Sequence, residues 1–228
     1  MFNLRSMCHL CHLSCETSLP ICEQCIAILP WNTSYCIKCA AFLPPELSRK
    51  TCGHCLSHPW HFDYCYAAFS YEKYIRKMVA QLKFHNQLIN AHILGTLLAR
   101  QIPHWYQDNP LPEVLLPVPL HSSRTRKRGF NQALEIAKVI KKITKMPFDY
   151  HFCKRIKKTK PQTTLHKNQR KSNLINAFAV ASLKQYQHVA ILDDVFTTGD
   201  TVNTLAATLK RSGIQQVDVW CVARARLR

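Results

Sequence analysis

Three aspartates, Asp193, Asp194 and Asp200, fall within eight residues of a chain that carries no acid from position 150 to position 192. The first two close the apolar run Val189-Ala190-Ile191-Leu192. A buried strand that ends this way aims paired carboxylates at the crevice where open α/β sheets bind ligands. Thr197-Thr198-Gly199-Asp200-Thr201 follows and turns into a helix N-terminus. Consecutive backbone N–H groups, three hydroxyls and the positive dipole end together form a phosphate cradle. Carboxylates accept hydrogen bonds from vicinal sugar hydroxyls while the amides hold a phosphate beside them, so the combined site suits a ribose 5-phosphate. The plain structural alternative is a capped helix after a buried strand, and the clustering of the acids argues against it.

A second constellation lies at the other end of the chain. Ten of the twelve cysteines occur in the first 65 residues, and eight of them form Cys-x-x-Cys pairs: Cys8 with Cys11, Cys22 with Cys25, Cys36 with Cys39 and Cys52 with Cys55. The two-residue gap lets both sulfurs of a tight turn point at one ion, and two such turns complete a tetrahedron around zinc. Pairing in chain order gives two zinc ribbons, 8/11 with 22/25 and 36/39 with 52/55. Both sites would be closed by four thiolates, which makes them structural. Gly53 sits inside the last pair, where a positive φ is expected to help the turn. The other use of an even cysteine count, a disulfide-stapled secreted head, calls for an apolar leader, and the stretch from Met1 to Arg5 has none. Reduced thiols place the chain in the cytoplasm.

Two basic runs complete the chemistry. Arg124, Arg126, Lys127 and Arg128 follow a proline-punctuated apolar run, and Lys154, Arg155, Lys157, Lys158 and Lys160 form a second cluster. Either could hold a diphosphate across the cleft, because guanidinium forks match phosphate oxygens. The same charges could track a nucleic-acid backbone, or simply face solvent. Trp60, Tyr64, Trp105 and Phe130 could stack bases, although each alone is more commonly a packing residue.

The elements that must position these groups follow from periodicity. The chain has 228 residues, a formal charge of +18 and 47% apolar residues, enough for one real core and a small module. No apolar run reaches the roughly 20 residues of a membrane helix. Residues 63–70 are expected as a strand, 71–84 and 87–102 as helices ended by Pro103, and Val114 to Val118 as a buried strand. Residues 131–143 form a helix capped by Asn131, 150–176 a mobile loop, 189–195 a strand, 201–212 a helix stopped by Gly213, and 214–222 a last strand. This order gives a parallel βαβ unit and an open, mainly parallel α/β sheet. The expected division is a double zinc ribbon over residues 1–60 and an α/β domain over 61–228.

Residues 189–201, Val-Ala-Ile-Leu-Asp-Asp-Val-Phe-Thr-Thr-Gly-Asp-Thr, resemble the signature of type I phosphoribosyltransferases, which bind phosphoribosyl pyrophosphate (PRPP). The double zinc ribbon adds to this, as do Arg128-Gly129-Phe130-Asn131-Gln132 and Gln162-Thr163-Thr164-Leu165 leading to Arg170 and Asn173. With them nearly the whole chain resembles the ComF (competence protein F, GntX-like) family. The resemblance implies a type I phosphoribosyltransferase fold, with Asp193 and Asp194 facing the ribose hydroxyls and Thr197 to Thr201 wrapping the 5-phosphate. It implies Mg²⁺ bridging ribose and diphosphate oxygens. From their charge, Arg124, Arg126, Arg128, Arg155, Lys157 and Arg170 are the residues expected to hold diphosphate or nucleic acid. The resemblance further implies a role in natural transformation, with single-stranded DNA and competence-machinery proteins as partners, the latter docking on the zinc head. Two departures stand out: Thr197 occupies the place where purine-salvage members carry an Asp, and Asp200 puts a negative charge inside the phosphate loop. Two functional classes stay open: a binding module for PRPP or DNA phosphates, and an active Mg²⁺-dependent transferase.

Overall fold

A computed structural model describes residues 6–123, 126, 129–157, 176–181 and 186–226. Its centre is a four-stranded, all-parallel sheet of β3 (Tyr64–Ser70), β4 (Val114–Pro117), β7 (His188–Phe196) and β8 (Gln216–Arg224), in the order β3-β8-β7-β4. The expected α/β architecture is thus present. Both faces of the sheet are covered, which is why its strands read as continuous apolar runs. Ala190 and Leu192 of β7 and Trp220 and Val222 of β8 face α3 (Lys73–His85), α4 (Leu88–Trp105) and α5 (Gln132–Thr144). Val189, Ile191, Val217, Val219 and Cys221 face the other way, onto α6 (Asp200–Arg211). One-residue alternation along the strands decides which helices each residue meets.

The boundaries differ from the expected ones where local signals compete. Helix α4 runs through Pro103 to Trp105, because a proline in the last turn sacrifices only one of the helix's hydrogen bonds. Strand β7 gains His188 and Phe196, α6 starts at Asp200 and ends before Ser212, and β8 runs from Gln216 to Arg224. Inside the expected loop lies β5 (Cys153–Arg155), which pairs antiparallel with β6 (Phe178–Val180), just beyond the loop's expected end. Residues 158–175, including Lys158, Lys160, the Gln162 to Leu165 run, Arg170 and Asn173, lie outside the described residues, as do Arg124, Lys127 and Arg128. Asn131 caps α5 as expected: its side chain accepts from Ala133 N at 3.0 Å and donates to Val118 O at 2.9 Å. That second bond ties the start of α5 back to the residue that follows β4.

The cysteine-rich segment covers the sheet's exposed edge. It begins with the hairpin β1 (Ser6–Met7) and β2 (Ser14–Cys15) and carries two five-residue helices, α1 (Glu23–Ala27) and α2 (Gly53–Ser57). Residues 30–37 run along the outer side of β3. Ser70 N donates to Pro30 O (2.8 Å), Asn32 N to Ala68 O (2.9 Å) and Cys65 N to Ile37 O (2.9 Å), with Trp31 bridged to Phe69. An unpaired edge strand is an aggregation hazard, and here the cysteine-rich segment takes up main-chain groups at both ends of β3.

Helices α4 and α5 touch at Gly95, where a Cβ would lie 2.9 Å from Val139 Cβ and 3.3 Å from Ile136 O. Gly95→Ala is expected to cost about 1–3 kcal/mol, by forcing the helices apart. Adding Val139→Ala should recover part of it. Urea midpoints of the single and double variants check this, and an unchanged midpoint for Gly95→Ala would show that the helices part freely.

Candidate functional site

The residues singled out in the sequence converge at the carboxyl end of β7. Asp193 shares its face with Cys221 and lies opposite it in register, while Asp194 turns to the α3 side and is almost fully buried. There Lys83, from the last turn of α3, donates from Nζ to Asp194 Oδ1 at 2.8 Å. Burial alone would lower the Lys83 pKa, but Asp194 and, more weakly, Asp193 outweigh it and raise it above the ordinary value. The lysine therefore stays a cation inside the protein. Asp193 accepts from Asp194 N at 2.8 Å. Burial and the neighbouring Asp194 carboxylate push its pKa up to about 7, against the opposing pull of Lys83 and, more weakly, Arg155. Sequence reasoning missed Lys83, one of several basic residues on an amphipathic helix.

The loop that follows is built from below and from the side. Arg224, at the end of β8, is buried and donates from Nη1 to the carbonyls of Phe196 (3.0 Å) and Thr197 (2.6 Å), with its guanidinium 4.6 Å from the Phe196 ring centroid. This fixes the exit of β7. Gly199 has φ +81° and caps α6, and a Cβ there would also come within 2.5 Å of Phe196 Cζ, so only glycine fits. Thr197 is exposed, Thr198, Asp200 and Thr201 are half-buried, and Thr198 Oγ1 donates to Asp200 Oδ2 at 2.7 Å. The negative charge of Asp200 is thereby occupied within the loop and sits at the favourable end of the helix dipole. The five residues expected to wrap a phosphate thus adjoin the paired carboxylates.

The basic residues divide. Arg155, on β5, packs its guanidinium on Phe178 (5.3 Å) and lies close enough to act on Asp193 electrostatically. Lys157 and Arg126 are exposed. Arg124, Arg128 and Arg170 fall outside the described residues. Trp105 is a core residue, buried against Tyr66 and Trp220, and is no stacking platform.

The cysteines gather in the two expected groups, Cys8-Cys11-Cys22-Cys25 and Cys36-Cys39-Cys52-Cys55, with all four sulfurs of each within 4.8 Å of one another. Cys11 and Cys22 Sγ are 3.8 Å apart, as are Cys39 and Cys52 Sγ. That equals the edge of a regular tetrahedron with arms of about 2.3 Å, the zinc–sulfur distance, and is nearly twice a disulfide bond. The donor sets fit structural zinc. The two groups repeat one design. Each first pair closes a knuckle, with His12 N donating to Cys8 O (2.9 Å) and Ala40 N to Cys36 O (2.8 Å). Each second pair opens a short helix whose first cysteine is the N-cap. That cysteine's N–H points at the first sulfur of its group, Cys22 N to Cys8 Sγ at 3.4 Å and Cys52 N to Cys36 Sγ at 3.2 Å. Burial works to raise the Cys8 thiol, and the backbone N–H groups of Cys11, Cys22 and Leu10 bring it down to about 6. Gly53 does not supply the positive φ expected of it, because it is the first helical residue of α2. Left-handed backbone falls on His12 (61°) and Ala40 (54°), directly after the knuckles.

The fold and the two four-cysteine groups define the class: an α/β protein with a phosphoribosyltransferase-like parallel sheet and an N-terminal double zinc ribbon. No protein-family model matches the chain. Among individual proteins, it is 33% identical to competence protein F of Haemophilus influenzae, over 84% of this chain and 85% of that one. It is 32% identical to the DNA utilization protein YhgH of Salmonella typhi, over 98% and 99%. A more distant similarity, 18% over 69% and 67%, joins it to competence protein ComFC of Streptococcus pneumoniae. The chain belongs to the ComF (competence protein F) family.

Two outcomes follow. Protein purified with its metal is expected to hold two zinc ions, and Cys39→Ser to hold one, by elemental analysis; an unchanged content would remove Cys39 from the ligand set. Asp193 binds its proton more tightly folded (about 7) than at its ordinary value of 3.8. Below about pH 4 it is protonated in both states, and between about 4 and 7 unfolding releases its proton, so its contribution to stability falls as pH rises and levels off above 7. Asp193→Asn should therefore gain stability relative to wild type between pH 4 and 8 in denaturant titrations. A gap that stays constant would mean that Asp193 ionises as readily folded as unfolded.

Proposed function

We propose that this protein is a cytoplasmic competence protein, active in natural transformation, that binds PRPP or ribose 5-phosphate at the carboxyl end of β7. What carries the reading is the juxtaposition of Asp193 and Asp194 with the Gly199-led N-terminus of α6. In this reading Asp193 and Asp194 accept from the ribose hydroxyls, and residues 197–201 offer their N–H groups and hydroxyls to the 5-phosphate. Mg²⁺ enters with the diphosphate, bound largely by substrate and water oxygens. Residues 1–60 act as a docking module and residues 61–228 as the ligand-binding domain. No helix among the described residues is long and apolar enough to cross a membrane.

Single-stranded DNA is the second partner, held by the basic surface that includes Arg126, Arg155 and Lys157. The printed names of the relatives, competence protein and DNA utilization protein, support a role with DNA. Competence-machinery proteins are proposed to dock on the head, where Met7, Leu13, Phe42 and Leu56 are exposed. An Mg²⁺-dependent transfer from PRPP to a base or amine is the alternative reading. The observation favouring it is Arg155, whose charge reaches Asp193 from the hairpin side, where it could stabilise a departing diphosphate. Thr197 puts no carboxylate beside the base position, which speaks against purine chemistry.

Calorimetry of the zinc-loaded protein with PRPP and Mg²⁺ tests the reading. Wild-type protein is expected to bind, and Asp193→Asn/Asp194→Asn to lose about ten-fold or more in affinity, the loss of hydrogen bonds to charged groups. Single-stranded DNA should bind both forms, more weakly as salt rises. Absence of PRPP binding at millimolar ligand, with DNA still bound, would overturn the ribose-phosphate site and leave a DNA-handling module.

A further inference from the structure

The second cysteine group touches the phosphate loop through one side chain. Trp60 Nε1 donates to Cys55 Sγ at 3.2 Å. The opposite end of the same indole lies on the loop, where a Cβ at Gly199 would come within 2.9 Å of Trp60 Cζ3. Trp60 stacks on Phe62 (ring centroids 5.2 Å, planes 20° apart) and meets Phe196 edge-on (5.8 Å, 79°). The next residue continues the link, with His61 N donating to Asn203 Oδ1 at 2.8 Å in the first turn of α6. A rigid ring with a single N–H donor therefore spans from a cysteine sulfur to the glycine on which the loop turns. Ring contacts on two sides leave the indole little freedom to tilt independently.

We propose that Trp60 is a positioning residue for the phosphate loop and that its position is set by the metal held by Cys36, Cys39, Cys52 and Cys55. The proposal rests on reading residues 197–201 as a phosphate cradle. A bound metal pins Cys55 Sγ to three other sulfurs and makes it a full anionic acceptor, for which an N–H bond is stronger than to a neutral thiol. The indole is then held against Gly199 and Phe196, and the N–H groups of the loop stay converged. Without the metal, Cys55 Sγ is free to move and the indole loses its anchor. Coupling of this kind is reciprocal, so a ribose phosphate in the loop should also slow loss of the metal from the second group. The first group, Cys8 to Cys25, packs into the other core cluster with Leu19, Ile21 and Tyr66, and contributes nothing to this contact.

The test compares full-length, zinc-loaded wild type with Trp60→Phe and Trp60→Ala. Trp60→Phe keeps an aromatic ring and drops the N–H, so it covers the case in which the alanine variant fails to fold. With both zincs retained, Trp60→Phe is expected to weaken ribose 5-phosphate binding by about 5-fold or more, the lower end of typical coupling. Hydrogen exchange of the amides at 197–203, measured without ligand, is expected to speed up by a similar factor while those at 189–192 stay unchanged. Cobalt in place of zinc adds a direct signature: ribose 5-phosphate should shift the thiolate-to-metal band in wild type and not in Trp60→Phe. Loop exchange and affinity in Trp60→Phe equal to wild type would overturn the proposal. If wild-type protein binds no ribose 5-phosphate, the phosphate reading fails, and the exchange measurement alone still decides whether Trp60 holds the loop.

Discussion

Two carboxylates on consecutive residues at the end of a buried strand repel each other and lose water, and the fold around them is organised by how that repulsion is answered. Alternation along β7 sends Asp194 to the α3 side and Asp193 to the α6 side, so a single cation cannot serve both equally. Lys83 meets Asp194 at 2.8 Å, which requires α3 to end where it does, beside the left-handed Asn86 that turns the chain into α4. Asp193 is left with a backbone N–H and distant positive charge, and it is the carboxyl whose proton affinity rises. The asymmetry distinguishes the two: the Asp194 carboxylate is paired with a buried cation, whereas the Asp193 carboxyl has no direct cationic partner among the described residues.

The same economy appears at the sheet edge. A parallel sheet of four strands has two edges, and the chain uses its cysteine-rich segment to close the β3 edge with backbone hydrogen bonds from residues 30–37. A segment this short has little apolar surface with which to hold its own shape, and metal ligation supplies what burial cannot. The repeated knuckle-and-helix design places one cysteine group among the residues of each core cluster, Cys8 and Cys25 in one and Cys36, Cys39 and Cys55 in the other. The head is therefore continuous with the body on both faces of the sheet. Removing either metal would be felt in the core that positions Asp193 and Asp194.

What was legible in the sequence was what short-range spacing encodes. Four Cys-x-x-Cys pairs specify two tetrahedra and their pairing, and an apolar run ending in Asp193-Asp194 before Thr-Thr-Gly specifies a strand, a turn and a helix start. Asn131 could be read as a cap because capping is a local bargain between a side chain and the amide two residues on. Lys83 and Arg224 could not, because each owes its role to a partner 111 or 27 to 28 residues away and looks like any other basic residue on a helix or strand. The β5–β6 hairpin escaped for a different reason: three-residue strands are shorter than the window over which alternation can be counted. Gly53 misled because a glycine between two ligands fits a knuckle, whereas the chain puts left-handed backbone on His12 and Ala40 and starts a helix at Gly53.

The phosphate loop also bears on why an acid stands inside it. The Thr198 hydroxyl donates to Asp200, so the loop pairs one of its own hydroxyls with its own carboxylate. On the proposed reading, a phosphate entering the loop would compete for the Thr198 hydroxyl and sit near the Asp200 charge, and both effects would lower affinity relative to a loop with Gly or Ser at that position. The opposing terms are the dipole of the twelve-residue helix α6 and the N–H groups that Arg224 and Gly199 hold in place. If the proposed ribose-phosphate site is right, a loop balanced in this way would favour a ligand that brings its own divalent cation to Asp193 over an isolated phosphate. On the proposed reading, the acid in the loop would act as a filter, turning a general anion-binding turn into one that responds to a sugar phosphate carried with its metal.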